Sequence, residues 1–274
     1  MSRRAAHGER FVEDRASRPR LQCTSHLRKC TADETHPHRV RLAALILATA
    51  CQADDGSLSF NASATTDYRY RGISQSRLEP ALQGGADLST ASGLYAGTWA
   101  STIQWIRDAG GDASIELDVY GGYKAALPHG VTLDVGLLHY HYPSHRLAVS
   151  PDTTELYAGA SLGVMSLKYS HAVTNLFGFA DSRNSGYLDL GLAFDLGDGW
   201  TLNPRVGHQK VAGNDLYSYS DLAVGVAKAL NGWALNATLV YADTERLGGT
   251  SVYDSPGGKD LGGAALTLGA RLAF

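Results

Sequence analysis

Apolar and polar residues alternate along most of the chain from Ser57 to Phe274. In the final stretch, "LTLGARLAF" at 266–274, every second residue counted back from Phe274 is apolar, while Thr267 and Arg271 lie between them. A period of two is typical of a β-strand that presents one apolar face. The pattern therefore predicts a fold built from strands, the last of which ends on an aromatic residue.

Twelve segments with this alternation follow one another, bounded by turn residues. The predicted strands are 57–67, 81–90, 94–104, 113–126, 131–142, 153–162, 164–174, 186–196, 200–210, 218–230, 233–242 and 260–274. Tight turns such as "TASG" and "LGDG" alternate with longer polar loops, as they do in outer-membrane barrels with short periplasmic turns and long external loops. We therefore predict an all-β fold, a transmembrane antiparallel up-and-down β-barrel of about twelve strands.

A soluble β-sandwich or lipocalin-like barrel also has alternating strands, and alternation alone does not say which face is inside. The even strand count, the alternating loop lengths and the paired aromatic residues favour the membrane barrel. In the segment 233–242, the apolar set begins with Trp233 and ends with Tyr241. Their separation fits an apolar band about 25 Å tall between two aromatic girdles.

Eight aromatic residues are predicted to form these girdles. Those of the periplasmic side are Tyr95, Trp200, Trp233 and Phe274, and those of the outer side are Tyr68, Tyr70, Trp105 and Tyr241. A last strand that ends in Phe also resembles the signal read by the machinery that assembles outer-membrane barrels. We therefore expect outer-membrane lipid and this machinery, acting through Phe274, to be partners.

The N-terminal part differs from the rest. The short apolar run "LAALILATA" at 42–50 follows basic residues and precedes small ones, which predicts a signal peptide over 40–53. Residues 1–39 are either a disordered extension or a non-native one, if the true start is Val40. The barrel domain is then 54–274, in the cell outer membrane. Lipidation of Cys51 is the alternative to cleavage after Ala53.

Charge and cysteines narrow the function further. Residues 54–274 contain 14 Lys and Arg and 22 Asp and Glu, a formal net charge of −8. An acidic exported domain is a poor candidate for nucleic-acid binding. All three cysteines, Cys23, Cys30 and Cys51, leave with the leader, so we expect no disulfide in the exported domain.

The stretch "TTDYRYRGISQSRLEPALQGGADLSTASGLYAGTWAS" at 65–101 resembles the N-terminal part of the TorF family, whose members are regarded as porins. The likeness continues in "ELDVYGGY" at 116–123 and "TELYAGAS" at 154–161 and covers most of the chain from Ser57 onward. The resemblance implies a Gram-negative outer-membrane protein that acts as a porin. It implies no particular solute.

The face opposite the apolar one is where solute chemistry is expected. The acidic residues predicted to point inward are Asp87, Glu116, Asp118, Asp134, Glu155, Asp189, Asp195 and Asp221. The predicted inward bases are Lys124, Lys168, Arg205 and Arg271, with Arg69 and Arg71 at the outer mouth. Either these groups pair and hold a narrow barrel together, or they line a polar path whose acidic excess favours cations or small neutral solutes.

Arg69 and Arg71 carry a sharper hypothesis. With Asp67 they are expected to order the first external loop and to set the charge of the entrance, while the alternating rings of Tyr68 and Tyr70 point outward and anchor the strand. The alternative is ordinary solvation of two exposed arginines.

Two other kinds of site are weighed and set aside. His139, His141 and His145 have metal-ligand spacing, but Asp152 is the one acidic residue nearby. A barrel phospholipase needs a supported Ser and His on the lipid face, and no such Ser accompanies His139 or His171. We therefore expect no catalytic residues, no metal and no cofactor. The predicted function is a narrow passive channel for small hydrophilic solutes, and the alternative is a closed barrel with a structural or surface-binding role.

Overall fold

The computed structural model describes residues 51–53 and 56–274, and twelve long strands form its framework. They are β1 (Gly56–Thr65), β2 (Ala81–Thr90), β3 (Leu94–Thr102), β4 (Ile115–Ala126), β5 (Val131–His141), β6 (Thr153–Leu162), β7 (Met165–Ala172), β8 (Gly186–Leu192, continued by Phe194–Gly197), β9 (Trp200–Lys210), β10 (Tyr219–Leu230), β11 (Trp233–Asp243) and β12 (Ala265–Ala273). Each strand pairs antiparallel with its neighbours in the chain. Because β1 pairs with both β2 and β12, the sheet closes into a barrel.

The predicted twelve-stranded up-and-down barrel is confirmed, and most of its strand bounds lie within two residues of the predicted ones. The largest difference is in β12, which begins at Ala265 and not at residue 260. Asp260 explains it, since one carboxylate oxygen accepts the backbone N–H groups of Gly262 and Gly263 at 3.0 and 2.9 Å and holds this segment in a turn. In addition, β8 is interrupted at Ala193, whose N–H donates to the carbonyl of Val164.

The apolar side of the wall faces outward. In β4, Ile115 and Val119 are about half exposed, whereas Glu116 and Asp118 between them are buried. Apolar side chains are exposed in the same way on other strands. Examples are Leu82, Leu137, Leu167, Leu222 and Leu266. A soluble barrel would bury this face, whereas a continuous exposed apolar belt is the surface that lipid covers.

The two ends of the barrel differ as the loop lengths predict. At the end with tight turns, the backbones of Phe60 and Phe274 exchange two hydrogen bonds of 2.8 and 3.0 Å, and their rings stack at 6.1 Å. The short strand Cys51–Ala53 pairs with the start of β1. The predicted extension over 1–39 and residues 40–50 of the predicted signal peptide lie outside the described residues.

At the opposite end the long connections fold over and into the barrel. The loop between β1 and β2 contains two short strands, Arg69–Tyr70 and Ile73–Ser74, which pair as a hairpin. The next long loop contains a single-turn helix, α1 (Trp105–Asp108), with Ile106 fully buried. No helix among the described residues is long and apolar enough to span a membrane.

Candidate functional site

The hairpin formed by residues 67–76, called the inner hairpin here, is held together by Asp67. The carboxylate of Asp67 accepts the Arg69 Nε at 2.7 Å and the hydroxyls of Ser74 and Ser76 at 2.5 and 3.2 Å. The Ser76 hydroxyl also accepts the backbone N–H of Tyr68 at 3.0 Å. The two ends of the hairpin are therefore tied by one buried carboxylate, which also pairs with Arg69.

The hairpin turns at Arg71 and Gly72, both in the left-handed region with φ of 48° and 84°. Two-residue turns of this kind favour Asn-Gly or Gly-Gly, because a side chain at positive φ is strained. Gly72 is required by space as well, since a Cβ there would lie 2.7 Å from Asp221 Cβ and 3.0 Å from Ala242 Cβ. The tip is thus pressed against the inner wall formed by β10 and β11.

Arg71 fixes the tip inside the barrel. Its guanidinium donates two hydrogen bonds to the Glu155 carboxylate, of 2.7 and 2.9 Å, and a third hydrogen bond of 2.7 Å to Gln209 Oε1. It also lies over the rings of Tyr70 and Tyr187 at 4.8 and 4.3 Å. Because Arg71 is buried and neutralised by Glu155, it does not set the charge of the entrance, and that part of the prediction is wrong.

The rings of Tyr68 and Tyr70 point inward, so their assignment to the outer girdle is wrong. Tyr68 is buried and donates to Glu116 Oε1 at 3.0 Å, and the hydroxyl of Tyr70 pairs with that of Tyr140. Burial raises the pKa of both hairpin tyrosines well above 10. The inward and outward alternation of β1 does not extend to these two residues, because the strand ends at Thr65 and the chain then bends into the lumen.

Two further girdle assignments are wrong for local reasons. Trp105 lies on α1 and packs edge-on against Tyr142 at 5.1 Å, inside the mouth. Tyr95 lies on the inner face of β3 and donates to Asp134 at 2.5 Å. Gly122 makes this possible, since a Cβ there would meet the Tyr95 hydroxyl at 2.5 Å.

The other four predicted girdle residues are 44 to 56 % exposed. They are Trp200, Trp233, Tyr241 and Phe274. Three of them lie at the end with short turns and Tyr241 lies near the outer end of β11.

Several predicted lumen charges are brought together as ion pairs. Arg205 binds Asp221 at 2.8 Å and Asp189 at 3.2 Å. Lys124 lies 3.8 Å from Asp134. These pairs support the interpretation that charges cross-link the wall.

The remaining lumen charges have other partners. Asp87 accepts the Tyr120 hydroxyl at 2.5 Å, and Lys168 lies 3.8 Å above the ring of Tyr157. Asp195 is exposed in the continuation of β8, where its carboxylate accepts the N–H of Gly197. Among the described residues, one buried oxygen of Asp118 has no hydrogen-bond partner, and Arg271 forms no ion pair.

The inner hairpin divides the interior. On its outer side an open cavity of about 610 Å³, called the outer vestibule here, is lined by Arg71 and by external loop residues such as Val149 and Tyr253. On its inner side a cavity of about 390 Å³ is lined by Arg69, Gly72 and strand residues. A third cavity, of about 470 Å³, lies against β9, β10 and β11. Arg71 and Gly72 therefore lie between these two cavities, and the hairpin tip with the side chains around it is called the constriction here.

The three histidines of the predicted motif do not lie at the constriction. His139, His141 and Asp152 lie at the outer end of β5 with ligand atoms within 4.8 Å of one another. His141 Nδ1 is 2.8 Å from Asp152, and His139 Nδ1 is 2.9 Å from the Thr154 hydroxyl. His145 lies apart, in the following loop. Residues 139 and 141 share the outer face, away from the constriction.

Sequence reasoning missed Tyr140, Tyr142, Tyr187 and Gln209 as members of the constriction. Each lies at the outer end of a strand on its inward face, or just after it, so strand parity was the signal available for three of them. The Arg-Gly pair at 71–72 was a turn signal inside a stretch assigned to an external loop.

A family model described as "Bacterial protein of unknown function (Gcw_chp)" matches residues 50–268 of this chain. A search of curated proteins found no match. Among solved structures, the KdgM porin is similar with a TM-score of 0.52 and 8 % identity over 79 % of this chain and 99 % of that one.

A second structure, the KdgM porin in complex with disordered oligogalacturonate, has a TM-score of 0.51 and 8 % identity over 79 % and 98 % of the two chains. These likenesses show the fold. The matching model carries a different name from TorF, so the TorF name is not confirmed.

Proposed function

Since the chain belongs to the Gcw_chp family of bacterial proteins of unknown function, we propose its function from its own geometry: a narrow porin-type channel of the outer membrane through which small hydrophilic solutes or ions diffuse passively. The TorF resemblance points to the same class of protein. The architecture shared with the KdgM porin supports the proposal at the level of fold.

The observation that carries the proposal is a polar interior with cavities on both sides of a single constriction. The outer face is apolar and the inward face holds Glu116, Asp118 and Arg205, which is the polarity of a water-filled membrane barrel and not of a soluble one. Twelve strands enclose more space than the eight that side chains fill. The inner hairpin occupies part of this interior and so narrows it.

A weak cation preference is part of the proposal. Together with Asp67, the acidic residues inside the described barrel formally outnumber the basic ones. Rings and clusters of carboxylates favour cations in channels. Arg271, which lines the inner cavity, opposes this preference.

The test is single-channel conductance in a planar bilayer, with protein purified from membranes of cells that express the full chain. We expect small steady openings, with a reversal potential that shows a weak preference for cations under a salt gradient. Arg71→Met, which removes the tip's ion pair, is expected to increase conductance several-fold. Arg146→Met is the matched control, because Arg146 pairs with Asp112 at the exposed rim.

A closed barrel with a surface role is the second candidate, favoured by one observation. The inner hairpin crosses the lumen and is fixed by the buried pair of Arg71 and Glu155. In that case, folded and inserted protein would give no openings, and Arg71→Met would create them. In both candidate functions the hairpin limits conductance. Equal conductance of the native protein and of Arg71→Met would therefore contradict this role of the hairpin in either case.

Outer-membrane lipid and the barrel assembly machinery complete the proposal as partners. Phe274 directly follows β12 and is 56 % exposed, which supports the proposal because its ring is accessible to a partner. Impaired assembly of Phe274→Ala in cells, with normal folding of the same variant in detergent, would support this role. Normal assembly of Phe274→Ala in cells would contradict a role of Phe274 in assembly.

A further inference from the structure

The outer vestibule has an unusually aromatic lining. Seven aromatic side chains line it, including Tyr70, Trp105, Phe177, Phe179 and Tyr253. Several of these rings also contact one another, such as Tyr70 and Phe177 at 5.8 Å and Tyr219 and Tyr253 at 5.3 Å. Its volume of about 610 Å³ falls within the range of small-molecule pockets, about 300 to 1,000 Å³.

The charges of the lining are nearly all satisfied within the protein. Arg71 is neutralised by Glu155, and Asp108 is held by Arg77 through two bonds. Asp254 is the other charged residue of the lining. The vestibule therefore offers little net charge to attract a multiply charged ligand.

Two polar atoms of the lining lack partners. Trp105 Nε1 is a donor and Asp254 Oδ1 is an acceptor, and both are shielded from water without a hydrogen bond to any described residue. A shielded polar atom without a partner costs about 1 to 3 kcal/mol, so it is seldom left unused in a native structure. Among the residues that line the vestibule, Trp105 thus has an unmatched donor and Asp254 an unmatched acceptor.

We infer that the outer vestibule is a binding site for an uncharged, hydroxylated ring compound, that is, a neutral mono- or disaccharide. A hydroxyl group both donates and accepts, so a ligand of this class offers the kind of partner that each of these two atoms lacks. The apolar faces of its rings pack against the aromatic lining. The floor of the site is Tyr70, Arg71 and Gln209, so a bound sugar lies directly against the constriction of the proposed channel.

The inference deepens the proposed function by naming a solute class, but its test needs no bilayer. Purified protein in a detergent without a sugar headgroup is titrated with maltose and with sucrose in a calorimeter. We expect saturable millimolar binding of at least one of them. Trp105→Phe, which keeps the ring and removes the N–H, is expected to weaken binding about three- to tenfold. Trp233→Phe, on the outer face, is the matched control.

Asp254 distinguishes a sugar from a cationic ligand. Asp254→Asn keeps an oxygen acceptor without the charge, so it should bind the sugar nearly as well, whereas Asp254→Ala should bind it less well. Tighter binding of glucosamine than of the neutral sugars, lost in Asp254→Asn, would assign the site to amines and overturn the inference. Failure of both sugars to bind would also overturn it.

The two proposals fail independently. If the protein conducts but binds no sugar, the channel proposal stands and the sugar site is refuted. If it binds sugar but never conducts, the sugar site stands, and it lies on a closed barrel. Equal binding by the native protein and Trp105→Phe would place any sugar outside the outer vestibule.

Discussion

Breaking the ion pair at the tip of the inner hairpin tests whether the hairpin is part of the folded barrel. In the native protein, Arg71 and Glu155 make two bonds of 2.7 and 2.9 Å, and their side chains are 6 and 2 % exposed. Because the pair is buried, solvent screening does not reduce its effect. Arg71→Met leaves a buried carboxylate without its partner, and Glu155→Leu leaves a buried guanidinium, each costing about 3 to 5 kcal/mol of unfolding free energy.

The double variant is expected to cost much less than the sum of the two single ones. With both charges removed, the remaining losses are the hydrogen bonds to Gln209 and Tyr140, about 1 to 3 kcal/mol each. From the middle of these ranges, about 8 kcal/mol for the sum of the single variants and about 4 kcal/mol for the double variant, the coupling free energy of the cycle is expected to be about 4 kcal/mol. Urea unfolding in detergent micelles, followed by tryptophan fluorescence, measures it.

A second cycle on an exposed pair provides the control. Arg146 and Asp112 lie 2.9 Å apart, but their side chains are 78 and 58 % exposed. Screening and side-chain entropy limit such pairs to about 0 to 1 kcal/mol. If the buried cycle gave the same small, additive effects as Arg146→Met with Asp112→Leu, the hairpin would not be docked as described and the reasoning would be refuted.

Three further outcomes are expected. Gly72→Ala should destabilise the protein by about 1 to 3 kcal/mol more than Gly110→Ala in the same urea assay, because the two glycines share a φ near 85° but a Cβ at Gly110 meets nothing within 4 Å; equal losses would argue against the tight tip. Above pH 10 the protein should lose stability at about 1.4 kcal/mol per pH unit for each buried tyrosine. The sign follows because burial raises the pKa of Tyr68 and Tyr253, so their contribution is complete below pH 10 and declines above it; absorbance at 295 nm should show them ionising only on unfolding. Arg271→Gln should shift the reversal potential towards greater cation preference, and an unchanged potential would show that the inner cavity does not select ions.

Local pattern was enough to predict the framework. Each strand shows a period of two over about ten residues, and each turn contains residues that favour turns. Local sequence is therefore enough to predict each of the twelve strands separately. Bounds such as 81–90 and 153–162 agree with the structure to the residue. Parity then placed Glu116 and Glu155 on the inward face, as the structure has them.

Parity failed where side-chain direction depends on a neighbouring strand or on the path of a loop. Tyr95 points into the lumen, where Gly122 on the adjacent strand leaves room for its ring. Tyr68 and Tyr70 follow the same alternation as β1 in the sequence, yet the chain has already turned inward there. Aromatic residues next to a strand therefore did not mark the membrane interface by themselves.

The sequence by itself determined the strand number, the loop alternation and the face that meets lipid, because these follow from short-range periodicity. Tertiary structure decided where the constriction lies and which residues form it. Arg71 meets Glu155 84 residues away and Gln209 138 residues away, contacts that arise only once the barrel has closed around the inner hairpin. No local period encodes such contacts, since they depend on the space left inside a ring of twelve strands.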